Sequence, residues 1–275
     1  MKKDRKIFNY DQPKYIYLPY DSKDSIKLPS DGNVLVSTEI CTYNGKTITS
    51  SVSGRILGSS NVFVNNKPTS AIAIENDFRD LKREVVKSKS FFDYGKNDIK
   101  NILKENKLEK SKMDPIVLEI KYEKNYDESD YLLVKEYAHD ILDTLDKIAY
   151  GYSIKNIYII INKKDKAVKR EFMNYIGTYL NINLVKKLKI EHSSFNVEEI
   201  VNLNNIFKIK SRSRYIYLTI NNKGTVYLVK TKKYVTLKEL LIAMNITSNN
   251  IYDINKNKLN ELEVLNSEIR TIIVK

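Results

Sequence analysis

The sequence predicts a mixed α/β fold organised in several domains, and two patterns carry this prediction. Short apolar runs separated by turn residues fill residues 15–80, which is typical of an all-β domain. Between residues 114 and 196, strand-like and helix-like patterns alternate, which predicts a parallel sheet with right-handed crossovers. At 275 residues the chain is long enough for two or three compact domains.

The chain is strongly basic, with a formal net charge of +13. A basic protein can bind nucleic acid or an anionic membrane surface. Only eight of the 47 cationic residues are arginine, the residue that suits bidentate recognition of phosphates and bases. We therefore expect a solvated, lysine-rich surface without specific nucleic-acid binding, and peripheral contact with an anionic membrane stays open.

The few cysteines and histidines exclude several classes of protein. Cys41 is the single cysteine, so no internal disulfide framework and no cysteine-held iron–sulfur cluster are expected. Only His139 and His192 could add imidazole ligands, which makes a zinc site improbable. No long apolar stretch and no secretory signal are found, so we expect a cytoplasmic protein, peripheral at most to the inner face of the membrane.

The N-terminal region divides into a polar segment, a β domain and a connector. Residues 1–14 are expected to be loose. Residues 15–80 are expected to form the β domain, with a hairpin at Asn44-Gly45, where both residues tolerate positive φ, and a weaker turn at Asn65-Asn66. Residues 81–113 are a charged connector with one short helix near 98–106.

The central region, 114–196, is expected to contain three strands joined by two helices. Apolar residues recur every three or four positions between Asp130 and Ala149, which indicates an amphipathic helix. Gly151 suits its left-handed C-terminal position. The apolar run Ile157–Ile161 predicts a strand buried on both faces of a three-layer domain. A second helix is expected over Asp165–Leu180.

The C-terminal region, 197–275, is expected to begin with a short helix and a linker. A hairpin then follows around Asn222-Lys223-Gly224. Thr236 and Glu239 form a capping-box pattern, in which each side chain accepts a hydrogen bond from the other residue's backbone N–H at a helix start. Further strands are expected near 251–254 and 269–274.

Three short motifs in this order resemble RnfC-type electron-transport subunits. They are Ser53-Gly54-Arg55-Ile56, the strand Ile72–Asp77, and the spacing of Asp130, Leu133 and Glu136. The resemblance implies an N-terminal barrel-sandwich hybrid akin to biotinyl and lipoyl domains, a central Rossmann-like α/β domain, and a C-terminal SLBB-type β-grasp. It also implies FMN and [4Fe–4S] clusters as family cofactors. A tight turn that needs a residue without Cβ is the simpler explanation of Gly54.

The chain departs from the family where cofactors would bind. FMN-binding members carry glycine-rich loops, whereas the corresponding segments Leu108–Asp114 and Lys186–Asn196 contain no glycine. The cysteine clusters for iron–sulfur centres are also missing. The remnant positions of the cofactor site are Glu123, Asp130 and Asn162, for which helix capping or solvent exposure is the simpler explanation. No cofactor, metal site or catalytic residue is expected.

The sequence thus predicts an RnfC-like protein that serves as a cofactor-less scaffold or docking subunit. Its expected partner is a redox enzyme or a subunit of a membrane electron-transport complex. One alternative is a true electron-transfer subunit whose cofactor lies at an interface shared with a partner. Another is a lysine-rich module that binds nucleic acid or an anionic membrane.

Overall fold

The computed structural model describes residues 5–21, 23, 26–82, 93–120, 129–162, 165–209 and 213–275. The strands are β1 (Arg5–Tyr10), β2 (Tyr15–Pro19), β3 (Asn33–Val34), β4 (Glu39–Tyr43), β5 (Lys46–Thr49), β6 (Gly54–Val64), β7 (Lys67–Asn76), β8 (Ile116–Glu119), β9 (Ile157–Ile160), β10 (Ile182–Val185), β11 (Ser194–Phe195), β12 (Tyr215–Asn222), β13 (Thr225–Lys232), β14 (Ile251–Asp253) and β15 (Thr271–Val274). The helices are α1 (Lys96–Glu105), α2 (Ser129–Tyr152), α3 (Lys166–Met173), α4 (Val197–Ile209) and α5 (Leu237–Ala243). The predicted mixed α/β character is confirmed.

The chain groups into two compact units, each described by itself. The terminal unit comprises residues 1–84, 126–129 and 214–275, so it joins the N-terminal strands to the C-terminal hairpin and helix. The central unit comprises residues 85–125 and 130–213 and holds the parallel sheet. Among the helices of the described ranges, none combines the length and apolar character needed to cross a lipid bilayer.

The N-terminal strands of the terminal unit form an antiparallel sheet in the order β2-β7-β6-β3, accompanied by the β4-β5 hairpin. Their inward side chains alternate along the strands, and Ile16, Leu18, Ile40 and Ile74 are fully buried in one apolar cluster. The β4-β5 turn is at Asn44 and Gly45, with φ of 50° and 66°, as the sequence predicts. The turn between β6 and β7 has φ of 52° and 61° at its two asparagines, Asn65 and Asn66.

Gly54 is a strand residue, so its assignment to a tight turn is wrong. It opens β6 and is paired with both Val34 and Asn76. A Cβ built on it would lie 1.9 Å from the carbonyl oxygen of Glu75. Glycine is required here because two backbones approach more closely than any side chain allows.

The second sheet of the terminal unit has the order β1-β13-β12-β15-β14. The β12-β13 hairpin turns at Lys223-Gly224, as predicted, and β15 lies parallel to β12. The expectation that residues 1–14 are loose is wrong for residues 5–10, because β1 pairs in parallel with β13. Phe8 and Tyr10 of β1 pack against the apolar core that this sheet shares with α5. The pairing satisfies the free edge of β13 and covers part of that core.

The capping box at α5 is half confirmed. The Thr236 hydroxyl accepts a hydrogen bond from the Glu239 N–H at 3.3 Å, as the pattern predicts. The Glu239 carboxylate instead accepts hydrogen bonds from the Tyr10 hydroxyl at 2.9 Å and from the Lys14 and Tyr15 N–H groups. It therefore fixes the segment between β1 and β2 to the start of α5 rather than closing the box.

The central unit holds a parallel four-stranded sheet in the order β10-β9-β8-β11. Its described helices gather around α2: α1 contacts it at Gly151, α4 through an ion pair between Lys208 and Asp140, and the turn after α3 through Tyr179 and Asp143. The predicted burial of β9 on both faces is wrong, because Ile157 and Ile159 are buried whereas Tyr158 and Ile160 are half-buried. At β9, therefore, the two faces of the sheet are only partly covered.

Three helix boundaries in the central unit differ from the predictions. α2 continues through Gly151 to Tyr152, and Ser153, with φ of 57°, takes the left-handed position instead. α3 ends at Met173 and a short 3₁₀ helix follows at Ile176–Thr178, so Leu180 is 97% exposed rather than part of a buried helical face. Residues 197–209 form a helix of 13 residues whose apolar side is buried, not a short helix and linker.

Candidate functional site

The carboxyl edge of the parallel sheet is the natural place for a ligand in the central unit. In chain order the strands are β8, β9, β10 and β11, and their spatial order β10-β9-β8-β11 reverses direction between β8 and β11. In open α/β sheets, ligands bind outside the carboxyl ends of the strands at such a switch point. The residues that follow these strands therefore decide what the edge can bind.

The three positions predicted from the sequence all follow β8 or β9 in the chain. Glu123 lies outside the described residues. Asp130 lies in the first turn of α2 and is 2% exposed, so it is enclosed by protein. Asn162 follows β9 and is exposed, and its carbonyl oxygen accepts a hydrogen bond from the Asp165 N–H at 2.9 Å. Asp130 and Asn162 thus share the edge but do not form a common exposed surface.

The N-termini of α3 and α4 at this edge are capped by side chains of the chain itself. Asp165 precedes α3, and its carboxylate accepts a hydrogen bond from the Val168 N–H at 3.1 Å. Asn196 precedes α4, and its side-chain oxygen accepts from the Glu199 N–H at 2.8 Å, while the Glu199 carboxylate accepts from the Asn196 N–H at 2.9 Å. These are the N–H groups that a phosphate would use at a helix N-terminus.

A lysine from the segment before β8 completes the arrangement at α4. The Lys110 ammonium lies 2.8 Å from the Glu199 carboxylate and 4.9 Å from the centre of the Phe195 ring. Its side chain is 20% exposed and that of Glu199 is 25% exposed, so the pair is largely shielded from water. Lys110 lies in Leu108–Asp114, the segment that corresponds to a phosphate loop in RnfC-type proteins. Here the segment supplies a cation that pairs with the Glu199 carboxylate.

Sequence reasoning did not identify the residues at the start of α4. A signal was present, because Asn196 and Glu199 have the spacing of a capping box directly before an apolar periodic run. Lys110 carries no such signal, since its partner lies 89 residues further along the chain. At the end of β8, Glu119 accepts a hydrogen bond from the Ser194 hydroxyl at 3.2 Å, so this carboxylate too is engaged within the unit.

The described residues at the carboxyl edge do not fit a flavin phosphate. A phosphate needs several converging backbone N–H donors, which glycine-rich loops and open helix N-termini provide. Among the described residues of the central unit, glycine occurs at 95, 151 and 177, and none of the three has a positive φ. At α3 and α4 a carboxylate already stands where a dianionic group would have to bind, which opposes binding by charge as well as by space.

Cys41 does not fit an iron–sulfur cluster either. It lies in β4, is 5% exposed, and its sulfur lies 3.4 Å from the carbonyl oxygen of Pro19. Burial, followed by the nearby Asp21 carboxylate, raises the pKa of the thiol to about 12. A cluster ligand must be a thiolate, and four are usually needed. Cys41 is thus a small buried residue of β4.

One group of potential metal ligands lies on α2. His139, Asp140 and Asp143 each offer a ligand atom within 4.8 Å of the others. Asp140 pairs with Lys208 at 2.7 Å, and Asp143 accepts from the Tyr179 hydroxyl and lies 3.4 Å from the His139 ring. Burial and the Asp143 carboxylate hold the pKa of Tyr179 above its ordinary value. Both carboxylates are thus occupied in contacts that hold α4 and the turn after α3 to α2.

A scan against protein-family models and a search of curated proteins each gave no match to this chain.

Proposed function

We propose that the chain is an RnfC-like scaffold that binds a protein partner in an electron-transfer system and holds no cofactor of its own. Under this proposal the N-terminal strands are a barrel-sandwich hybrid and the central unit is a Rossmann-like domain. The C-terminal hairpin, α5 and the two strands after it are an SLBB-type β-grasp. The reversal of strand order at β8 and the parallel pairing of β12 with β15 support these assignments.

The observation that carries the proposal is the capped carboxyl edge of the parallel sheet. At the starts of α3 and α4 on this edge, backbone N–H groups donate to Asp165, Asn196 and Glu199 rather than facing outward. Under the proposal, this is the edge of a nucleotide-binding fold whose anion-binding donors at α3 and α4 are satisfied internally. A protein that retains the framework without the donors is suited to binding another protein.

Flavin determination on the purified chain tests the proposal. We expect the protein to release no FMN on denaturation and to show no flavin absorbance after purification from cells grown with riboflavin. Stoichiometric FMN in the supernatant would overturn the proposal. Flavin that copurifies only together with a second protein would favour an electron-transfer subunit with a cofactor at a shared interface.

A further inference from the structure

The outer edge of β10 presents free backbone groups. β10 is the outermost strand of the parallel sheet, and no other strand of the described residues pairs with its outer side. The carbonyl oxygens of Asn181 and Val185 accept hydrogen bonds from the N–H groups of Ile157 in β9 and of Ile161 directly after it, at 3.1 Å and 2.9 Å. Since backbone groups alternate along a strand, those of Ile182 and Leu184 point away from the sheet. They are available to pair with an additional strand.

The amino end of this edge is apolar. Leu180, two residues before β10, is 97% exposed. Met173 at the end of α3 is 54% exposed, and Tyr175 in the following turn is 42% exposed. α3 runs from the carboxyl end of β9 back to the amino end of β10, so its last residues and Leu180 share one end of the edge. Such a group of exposed apolar side chains is typical of a contact surface.

The carboxyl end of the same edge is basic. Lysines follow β10 directly, and two more lie in the first turn of α3, which begins at the same end of the sheet. All five are exposed, and none forms an ion pair within the described residues; they are Lys166, Lys169, Lys186, Lys187 and Lys189. Lysines beside an edge strand oppose pairing with a second copy of the same chain, because like charges would then be brought together.

We propose that the β10 edge binds an acidic, extended segment of a partner protein, which adds to the parallel sheet as a fifth strand. The backbone groups of Ile182 and Leu184 pair with the added strand. Leu180 contacts an apolar side chain at one end, and Lys186 and Lys187 contact carboxylates at the other. Strand addition of this kind takes its affinity from backbone hydrogen bonds and its specificity from the side chains. The inference rests on the proposed docking function and names the chemistry of the partner.

A labelled peptide of about eight residues that alternates glutamate with valine or leucine serves as the probe, because the proposed contacts run over the eight residues from Leu180 to Lys187. Its binding is measured by fluorescence anisotropy at low salt. We expect the double variant Lys186→Glu/Lys187→Glu to weaken binding by about tenfold or more. Leu180→Asp should weaken it by about fivefold, and its high exposure leaves folding intact.

Matched control variants lie in the terminal unit. Lys46→Glu/Lys67→Glu changes the net charge by the same amount at two exposed positions, and Ile242→Asp places an acid at another residue that is 64% exposed. We expect both to alter binding by less than about twofold. If both lysine double variants lost peptide affinity equally, the proposal would be overturned, because the loss would then follow from net charge alone.

Hydrogen exchange supplies a readout that charge alone does not move. We expect the Ile182 and Leu184 amides to exchange rapidly in the free protein and to become protected when the peptide binds. An oligoglutamate peptide of the same charge and a peptide N-methylated along one edge should bind weakly and give no protection. Protection of these two amides in the free protein, or no binding of the alternating peptide at millimolar concentration, would overturn the proposal. Flavin release is measured separately, so its outcome distinguishes failure of the proposed function from failure of this inference.

Discussion

Replacing Gly151 by alanine adds one methyl group where α1 and α2 are in contact. A Cβ at this position would lie 2.6 Å from Cγ2 and 3.0 Å from Cβ of Ile99, which is itself fully buried in α1. Rotation about χ1 moves Cγ2, which is restricted in a β-branched residue, but it leaves Cβ in place, so a rotamer change cannot relieve the 3.0 Å contact. The two helices must therefore move apart, or the core around Ile99 must rearrange.

Two effects of opposite sign set the magnitude. In a helix interior, alanine is favoured over glycine by about 0.5–1 kcal/mol. Adding a methyl group to a packed interface costs about 1–3 kcal/mol. We expect the packing effect to dominate, because 2.6 Å is shorter than any ordinary carbon contact, and the variant should be less stable by about 1–2 kcal/mol.

Chemical denaturation followed by circular dichroism measures the change in the free energy of unfolding. Gly177→Ala is the matched control, since a Cβ there meets no atom within 4 Å. Ile99→Ala removes Cγ2, so the double variant Ile99→Ala/Gly151→Ala should be more stable than the sum of the single effects by at least about 0.5 kcal/mol. A Gly151→Ala protein as stable as the wild type, or additive single effects, would refute the packing argument.

Two further predictions concern carboxylates of the terminal unit. Glu239→Ala leaves the Lys14 and Tyr15 N–H groups and the Tyr10 hydroxyl without their acceptor and should lower the free energy of unfolding by about 1–3 kcal/mol. Glu239→Gln keeps an acceptor oxygen and should lower it by less. Equal losses of stability in the two variants would show that the acceptor is unimportant. Glu263 is fully buried, and burial raises the pKa of its carboxyl above the ordinary 4.5. Folding therefore favours the protonated carboxyl, and the free energy of unfolding falls as the pH rises through the raised pKa. Glu263→Gln should therefore raise the melting temperature at neutral pH and lose this advantage below about pH 4; a gain that is the same at both pH values would contradict the assignment.

The elements that sequence patterns identified correctly are those decided by neighbouring residues. The turn at Asn44-Gly45 needs two residues that tolerate positive φ, and both are adjacent in the chain. The Thr236 cap and the amphipathic pattern of α2 are likewise local, and the pattern does not reveal the kink at Tyr137, where φ is −125° and ψ is 19°. Short-range periodicity and capping chemistry were therefore sufficient to place the hairpin and these helices.

The features that the sequence did not predict depend on distant partners. β1 is a strand because β13 offers a free edge more than two hundred residues away. Glu239 leaves its local capping role for donors 224 to 229 residues away. The sequence pattern predicts a helix end at Gly151. In the structure Gly151 lies within α2, where the absence of a side chain leaves space for Ile99. In each case a tertiary contact overrides a local preference.

The candidate site shows the same division. The absence of glycine from Leu108–Asp114 and Lys186–Asn196 is visible in the sequence and predicts that no phosphate loop is present. What takes the place of such a loop is not visible there, because Lys110 and Glu199 are brought together only by folding. The exposed edge at β10 was also missed, since strand order cannot be read from local patterns.

An amide NMR titration with FMN tests the central claim, which is that the N-termini of α3 and α4 at the carboxyl edge are occupied by the chain's own side chains. The Val168 and Glu199 amides report directly on this, because they donate to Asp165 and Asn196. We predict that both resonances stay in place when millimolar FMN is added. Saturable shifts of these two amides, absent when FMN is replaced by riboflavin, would show that a phosphate displaces the caps and would contradict the account.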